Sequence, residues 1–147
     1  MINKTSTSTV THVWSVDSAL DRSDKALFDS KYAEFLKTGD MSQLPIRAGC
    51  VPAVFTIRSL TRRVMMRLGR YSSPLEFNSE VVAYTLVGVT GYEVNGRPVE
   101  LGARVSTDIA ERLGEAALDQ IYDPFLFAEL ADRAVEISRV DPTRAPA

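Results

Sequence analysis

The chain has 147 residues with 45% hydrophobic and 24% charged side chains and a formal net charge of −2, all ordinary values for a globular protein. This length suits one domain with its own hydrophobic core. The single cysteine and single histidine exclude an intramolecular disulfide and a zinc site, which needs about four such ligands. We therefore predict no metal and no cofactor.

His12 and Cys50, the only histidine and cysteine, give little support for catalysis. His12 lies in a leader rich in serine and threonine, which makes a histidine-dependent triad hard to build. A free cysteine is most often a small packed or loop residue, and the nearest basic partner of Cys50 in sequence is Arg47. The sequence displays no catalytic site, and we predict that the protein is not an enzyme.

Targeting signals are also lacking. No stretch approaches the roughly 18 consecutive apolar residues of a membrane span, and the first nine residues lack the apolar region of a secretory signal. A lone cysteine fits a reducing cytosol. We expect no membrane partner.

Residues 1–15 are predicted to form a flexible or extended arm. Alternate residues from Thr5 to Val13 share one side of a period-2 pattern, so part of the arm could pair as an edge strand, and a disordered leader is the equal alternative. The first helix is predicted over about residues 17–38, or as a shorter version that begins at Asp24.

The middle of the chain begins with a predicted strand over residues 53–60, in which Phe55 and Ile57 face one way. A short helix over residues 62–70 follows, with Thr61 as its cap.

The clearest local signal is the run Ser73-Pro74-Leu75-Glu76. It combines an N-cap, a proline at the first helical position and a glutamate that closes a capping box, and it predicts a helix to about Val87. Residues 92–99 then read as a hairpin, because Asn-Gly supplies the two positive φ angles of a type I′ turn.

Two helices are predicted to close the chain, one over about residues 107–121 and one from Asp123-Pro124 to about Arg139. Residues 141–147 read as a frayed tail. The predicted fold class is α+β and mainly α, with about five helices, one short strand and a small Asn-Gly hairpin, in a single domain over residues 16–140.

The charge layout separates into two segments. From Arg47 to Arg70 there are six arginines and no acid, a charge of +6; from Asp108 to Glu136 there are eight acids and two arginines, a charge of −6. The predicted basic patch is Arg58, Arg62, Arg63, Arg67 and Arg70. The predicted acidic patch is Asp108, Glu111, Glu115 and Asp119. Phosphate binding, complementary self-assembly and pairing inside one domain are the three interpretations that stay open.

Three segments share an order of elements. The first is an extended segment that runs into a helix over residues 51–63. The second is a glycine-interrupted run that leads to an Asn-Gly turn and a proline over residues 86–99. The third, residues 106–113, is predicted to be the start of a helix. This order resembles that of small tail-assembly-chaperone-type proteins, which are encoded among the morphogenesis genes of tailed bacteriophages. The resemblance covers about residues 50–140 and is a pattern of element order.

The resemblance implies a non-enzymatic role in virion assembly. Such chaperones bind the long helical tape-measure protein, keep it soluble and help tail-tube subunits polymerise around it. That role needs an apolar groove that accepts a partner helix, and the candidate contact residues are Trp14, Phe28, Tyr32, Phe35, Phe125 and Phe127. A minor structural subunit of the virion is a related role. The expected partners are phage tail or virion proteins or a second copy, and the expected location is the host cytoplasm during assembly or the virion.

Two other functions compete with this one. A nucleic-acid-binding regulator would use the basic segment from Arg58 to Arg70, although no recognition helix follows a tight turn there. A small enzyme would use Cys50 or the carboxylate pairs, which nothing else in the sequence supports.

Overall fold

The computed structural model describes residues 9–140, which form five α-helices and seven short strands. The helices are α1 (Lys25–Thr38), α2 (Arg62–Leu68), α3 (Pro74–Thr85), α4 (Glu115–Ile121) and α5 (Pro124–Val140). The strands are β1 (Thr9–His12), β2 (Val54–Arg58), β3 (Leu86–Thr90), β4 (Glu93–Val94), β5 (Arg97–Pro98), β6 (Arg104–Ser106) and β7 (Glu111–Leu113). None of these helices is both long and apolar enough to cross a membrane.

The prediction of one short strand beside the hairpin is wrong. The chain is 45% helical and 20% strand, and its strands form three small antiparallel sheets within an α+β fold. Four of the seven described strands have only two or three residues. Such short strands show too little alternation to be recognised from the sequence, because a period-2 pattern needs about four to eight residues.

The central sheet has the order β1-β2-β3. Phe55 and Ile57 of β2 are fully buried, as predicted from the alternation. On one side His12 of β1 pairs with Phe55, so the described part of the arm is an edge strand rather than a disordered leader. Residues 1–8 and the predicted frayed tail at 141–147 lie outside the described residues.

The predicted continuation of α3 to Val87 is wrong, because the helix ends at Thr85 and β3 begins at once with Leu86. Leu86 is opposite Ile57 of β2 and is fully buried. Pairing with a strand about thirty residues earlier therefore overrides the local helical pattern. The start of α3 is as predicted, since the Ser73 side chain accepts a hydrogen bond from the backbone N–H of Glu76.

The longer version of the first helix is also wrong, because α1 begins at Lys25. Asp24 caps it by accepting from the backbone N–H of Leu27 at 3.1 Å. The side chain of Asp17 instead accepts from the backbone N–H groups of Ala19 at 2.8 Å and Ala53 at 3.0 Å. Asp17 thus holds a turn against the start of the central strand, where the sequence predicts a helix cap.

The predicted helix over residues 107–121 is wrong in its first half. Thr107 closes a tight turn by donating its hydroxyl to the carbonyl of Ala110 at 2.6 Å, and this turn joins β6 to β7. Only α4 is helical. Leu113 and Ile121 are buried, so the apolar spacing identified core residues but assigned Leu113 to the wrong element.

Three local predictions are confirmed. The Asn95-Gly96 turn has φ angles of 54° and 77° and joins β4 to β5, as a type I′ hairpin requires. Helix α2 begins after the cap residue Thr61. Helix α5 begins at Pro124, where Asp123 accepts from the backbone N–H of Phe125 at 2.8 Å.

The hydrophobic core has three parts. The main core joins the central sheet to α3, α4, α5 and β7; its large buried residues include Phe55, Ile57, Leu86, Leu113, Leu126, Phe127 and Leu130. The second lies between α2, α3 and α5. The third lies under α1 and contains Val13, Leu20, Phe28, Phe35 and Leu44.

Candidate functional site

A cluster of four polar side chains joins the arm to two helices. His12 ends β1, Ser15 follows it, Tyr32 lies on α1 and Glu129 lies on α5. We call these four residues the polar cluster. They line one side of a pocket of about 310 Å³.

Glu129 is the acceptor at the centre of the polar cluster. Its Oε2 lies 2.6 Å from Nε2 of His12 and 2.9 Å from the backbone nitrogen of Ser15, and its Oε1 accepts from the Ser15 hydroxyl at 2.5 Å. The Tyr32 hydroxyl donates to the carbonyl of Val13 at 2.6 Å and lies 3.3 Å from Oε2 of Glu129. Three segments of the chain thus meet at one carboxylate.

Electrostatics keep this carboxylate ionised. Burial pushes the pKa of Glu129 upwards, but the hydrogen bonds from His12 and Ser15 outweigh burial, and the pKa is lowered from its ordinary value of 4.5. Burial and the nearby Glu129 charge raise the pKa of Tyr32, which therefore stays a phenol. Because Glu129 carries the charge, Nε2 of His12 is the donor in their hydrogen bond.

The geometry of the polar cluster suits holding the fold together better than acid–base chemistry. A catalytic histidine between a carboxylate and a nucleophile uses both ring nitrogens. Here Ser15 contacts the carboxylate, and Nδ1 of His12 is buried with no hydrogen-bond partner in the described part of the chain. No group of three or more His, Cys, Asp or Glu side chains within residues 9–140 could hold a metal ion.

No local pattern indicates that His12, Ser15 and Glu129 are partners. His12 and Glu129 are 117 positions apart. The one available signal was the threonine alternation in the arm, which placed the strand but not the cluster at its end. His12 lies in the serine- and threonine-rich arm, yet its side chain is only 2% exposed.

A second feature is an open groove of about 580 Å³ beside the end of the central sheet. Three segments form it: the turn after β1, the loop before β2 and the link from β3 to β4. We call it the Trp14 groove, after the indole that lines it. Its other main lining residues are Val16, Asp17, Cys50, Val51, Tyr92 and Glu93.

The Trp14 groove combines apolar walls with negative charge. Val16 is 60% exposed and Val51 is 80% exposed, whereas Trp14 and Tyr92 pack against the main core. Within residues 9–140, the charged residues of the lining are Asp17 and Glu93. The pKa of Tyr92 is raised, first by burial and then by the carboxylates of Asp123 and Asp17.

The aromatic residues predicted to contact partners lie in different environments. Phe28 and Phe35 are buried in the core under α1, and Phe127 is buried in the main core. Tyr32 belongs to the polar cluster and Trp14 to the groove. Phe125 alone of the six is largely exposed, at 77%. Three of the six predicted contact residues are therefore buried in the core.

The structure brings part of the basic patch to the acidic patch. Arg67 pairs with Asp108 at 2.7 Å, and Arg63 donates to the carbonyl of Asp108 at 3.3 Å. Arg58 donates to the carbonyls of Tyr84 and Glu111, both at 3.0 Å. Pairing inside one domain thus accounts for three of the five arginines, while Arg62 and Arg70 lie exposed.

The rest of the acidic patch is spread over the surface. Glu115 begins α4 and pairs with Arg112 at 2.6 Å. Arg112 also binds Glu80 at 2.8 Å, in a half-buried ion pair. Glu111 on β7 and Asp119 on α4 are exposed. These acids do not converge on one site.

Comparison with known proteins identifies no relative. No protein-family model, no curated protein and no solved structure matches the chain.

Proposed function

We propose that the protein acts by binding other proteins during the assembly of a tailed bacteriophage particle, as a tail assembly chaperone or as a minor virion subunit. It performs no catalysis in this role. Its partners are the tape-measure protein, tail or virion subunits, or a second copy of the chain, and it acts in the host cytoplasm during assembly or in the virion.

The observation that supports binding to proteins is the Trp14 groove. Val16 and Val51 expose apolar surface beside Trp14 and Tyr92, and soluble domains commonly use such surface for contact with a partner. The phage context rests on the order of elements. In the structure β2 runs into α2 and the Asn-Gly turn follows β3, whereas residues 106–113 form the end of β6, a turn and β7 instead of a helix.

The competing nucleic-acid role receives less support. Binding to phosphates needs free basic side chains on one surface, and Arg58, Arg63 and Arg67 are held by the chain's own carbonyls and by Asp108. A shift assay over a range of salt concentrations would measure any remaining affinity, which should weaken steeply as salt rises if it is real.

The proposed function is tested by co-expression of the full chain with the proteins encoded by neighbouring genes. Affinity purification and analytical ultracentrifugation then show which protein forms a stable complex and with what stoichiometry. We expect an identified tail or virion protein to co-purify at a fixed ratio. A chain that stays strictly monomeric and captures none of these proteins would overturn the proposal.

A further inference from the structure

We propose that the Trp14 groove binds a segment of a partner protein that combines large apolar side chains with lysine or arginine. This inference rests on the proposed function and names the chemistry of the partner. The apolar side chains would pack against Val16 and Val51, and the cation would lie near Glu93 and Asp17.

The apolar part of the argument is the exposure of two valines at one place. Val51 is 80% exposed and Val16 is 60% exposed, although both line the same concave surface. Covering them removes apolar area from water without moving the sheet, because Trp14 and Tyr92 behind them already pack on the main core. The groove thus offers a rigid base with an uncovered apolar rim.

The charge of the lining determines which apolar segment fits. Among the described residues that line the groove, only Asp17 and Glu93 are charged, and Asp123 lies near enough to Tyr92 to raise its pKa. Asp17 is fixed by two backbone N–H groups, so its charge cannot swing away. These carboxylates favour a cationic segment over an acidic one, although Arg22 and Arg47 donate to the backbone carbonyls of Asp17 and Ser18 beside them.

The test uses the full chain and two synthetic peptides of equal length and equal leucine content. One peptide has lysine and the other has glutamate at its polar positions. Trp14 is the only tryptophan, so its fluorescence reports contact at the groove directly. Cys50 is the only cysteine and is exposed in the same lining, so its rate of alkylation should fall in proportion to the bound fraction.

We expect the chain to bind the leucine–lysine peptide more tightly than the leucine–glutamate peptide. A variant in the groove and a control variant outside it then test the apolar contact. Val51→Asp should weaken binding by at least about tenfold, because the apolar contact is lost even though the added charge attracts lysine. Leu75→Asp adds the same charge at an exposed position in the first turn of α3 and should leave binding unchanged.

A second pair of variants isolates the charge. Glu93→Gln should weaken binding of the leucine–lysine peptide by about two- to fivefold at low salt, and the difference should shrink as salt rises. Asp119→Asn, at an exposed site on α4, is the control and should have no effect.

Several results would overturn the inference. They are equal binding by the Val51→Asp variant, unchanged alkylation of Cys50 at saturating peptide, and stronger binding of the leucine–glutamate peptide. Protection of Cys50 by an oligonucleotide, or by raising the protein concentration alone, would assign the groove to nucleic acid or to a second copy.

These outcomes are distinguishable from failure of the proposed function. Capture of an identified tail protein that is unaffected by Val51→Asp would leave the proposed function standing and overturn the assignment of the groove. Peptide binding with no tail protein captured would leave the assignment of the groove standing and overturn the proposed function.

Discussion

The Nε2 atom of His12 lies 2.6 Å from Oε2 of Glu129, although 117 positions separate the two residues. This contact joins the edge strand of the central sheet to α5, and the hydroxyls of Ser15 and Tyr32 complete the group. A buried carboxylate with several donors is favourable only while every donor keeps its acceptor. The polar cluster therefore behaves as one unit, and its energetic contribution can be measured by changing its central residue.

Glu129→Gln should destabilise the chain at neutral pH. The amide keeps the shape of the carboxylate but accepts more weakly from His12 and Ser15, so we expect a loss of about 1–3 kcal/mol in the free energy of unfolding. Urea denaturation at pH 7 measures this loss. The control Glu34→Gln, on the exposed side of α1, should change the stability by less than about 0.5 kcal/mol. Equal effects of the two variants would contradict the central role of Glu129.

The effect of Glu129→Gln should depend on pH. Burial raises the pKa of Glu129, but the hydrogen bonds from His12 and Ser15 lower it further, to below its ordinary value of 4.5. A lowered pKa means that the ionised form stabilises the folded chain above about pH 4.5, and that this stabilisation is lost as the pH falls through the folded-state pKa. The stability difference between native chain and variant should therefore shrink from pH 6 to pH 3. A difference that stays constant over this range would refute the assignment.

Local signals in the sequence predicted the elements that depend on neighbouring residues. Ser73 to Glu76 placed the start of α3, and Asn95-Gly96 placed the hairpin. The errors fall where distant partners decide the structure. Leu86 is a strand residue because β2 lies beside it, and Leu113 is one because it pairs with Arg104 after the Thr107 turn.

The candidate sites depend even more on distant contacts. The Trp14 groove is made from three separate segments, so no single window of sequence contains it. The aromatic stripe of α1 was recognised as apolar, but the sequence could not show that Phe28 and Phe35 face a core of their own. Among the predicted contact residues, only burial in the folded chain distinguishes Phe125 from Phe127.

Phe125 and Phe127 should differ sharply when replaced. Phe127 is 1% exposed and contacts Tyr122 edge to face, with 5.0 Å between the ring centroids. We expect Phe127→Ala to cost about 3–5 kcal/mol, because it leaves a cavity in the main core. Phe125→Ser, at a 77% exposed site, should change the stability by less than about 0.5 kcal/mol. Thermal denaturation of the two variants makes the comparison, and similar losses would contradict the packing of α5.

The Asn-Gly hairpin gives a prediction that concerns the backbone alone. Gly96 has a φ of 77° and no atom within 4 Å of the position that a Cβ would take. Gly96→Ala should cost about 1–2 kcal/mol through conformational strain. Gly69→Ala is the matched control, because Gly69 has helical backbone angles and only ordinary contacts; it should be neutral or stabilising by up to about 1 kcal/mol. We expect the Gly96→Ala variant to have the lower melting temperature of the two. The opposite order would contradict the predicted strain at Gly96.

The Arg67–Asp108 pair predicts a change that titration can detect. The hydrogen bond from Arg67 lowers the pKa of the Asp108 carboxyl below its ordinary value of 3.8. Arg67→Gln removes this donor and the charge, so the pKa of Asp108 should rise. Arg62→Gln, which changes an exposed arginine on the same helix, should leave it unmoved. The pKa of Asp108 in each variant can be measured by following carboxyl chemical shifts by NMR over pH 2–6. Identical titration curves for the two variants would mean that the Arg67–Asp108 pair does not persist in solution.

The position of the polar cluster in the chain has a consequence for synthesis. His12 is synthesised 117 positions before Glu129, so its side chain and that of Ser15 must wait for their acceptor while most of the described helices and strands are made. During that interval the side chains of His12 and Ser15 lack this carboxylate, although β1 can already pair with β2. We therefore expect the contact between the β1 edge of the central sheet and α5 to be among the last to form as the chain is synthesised.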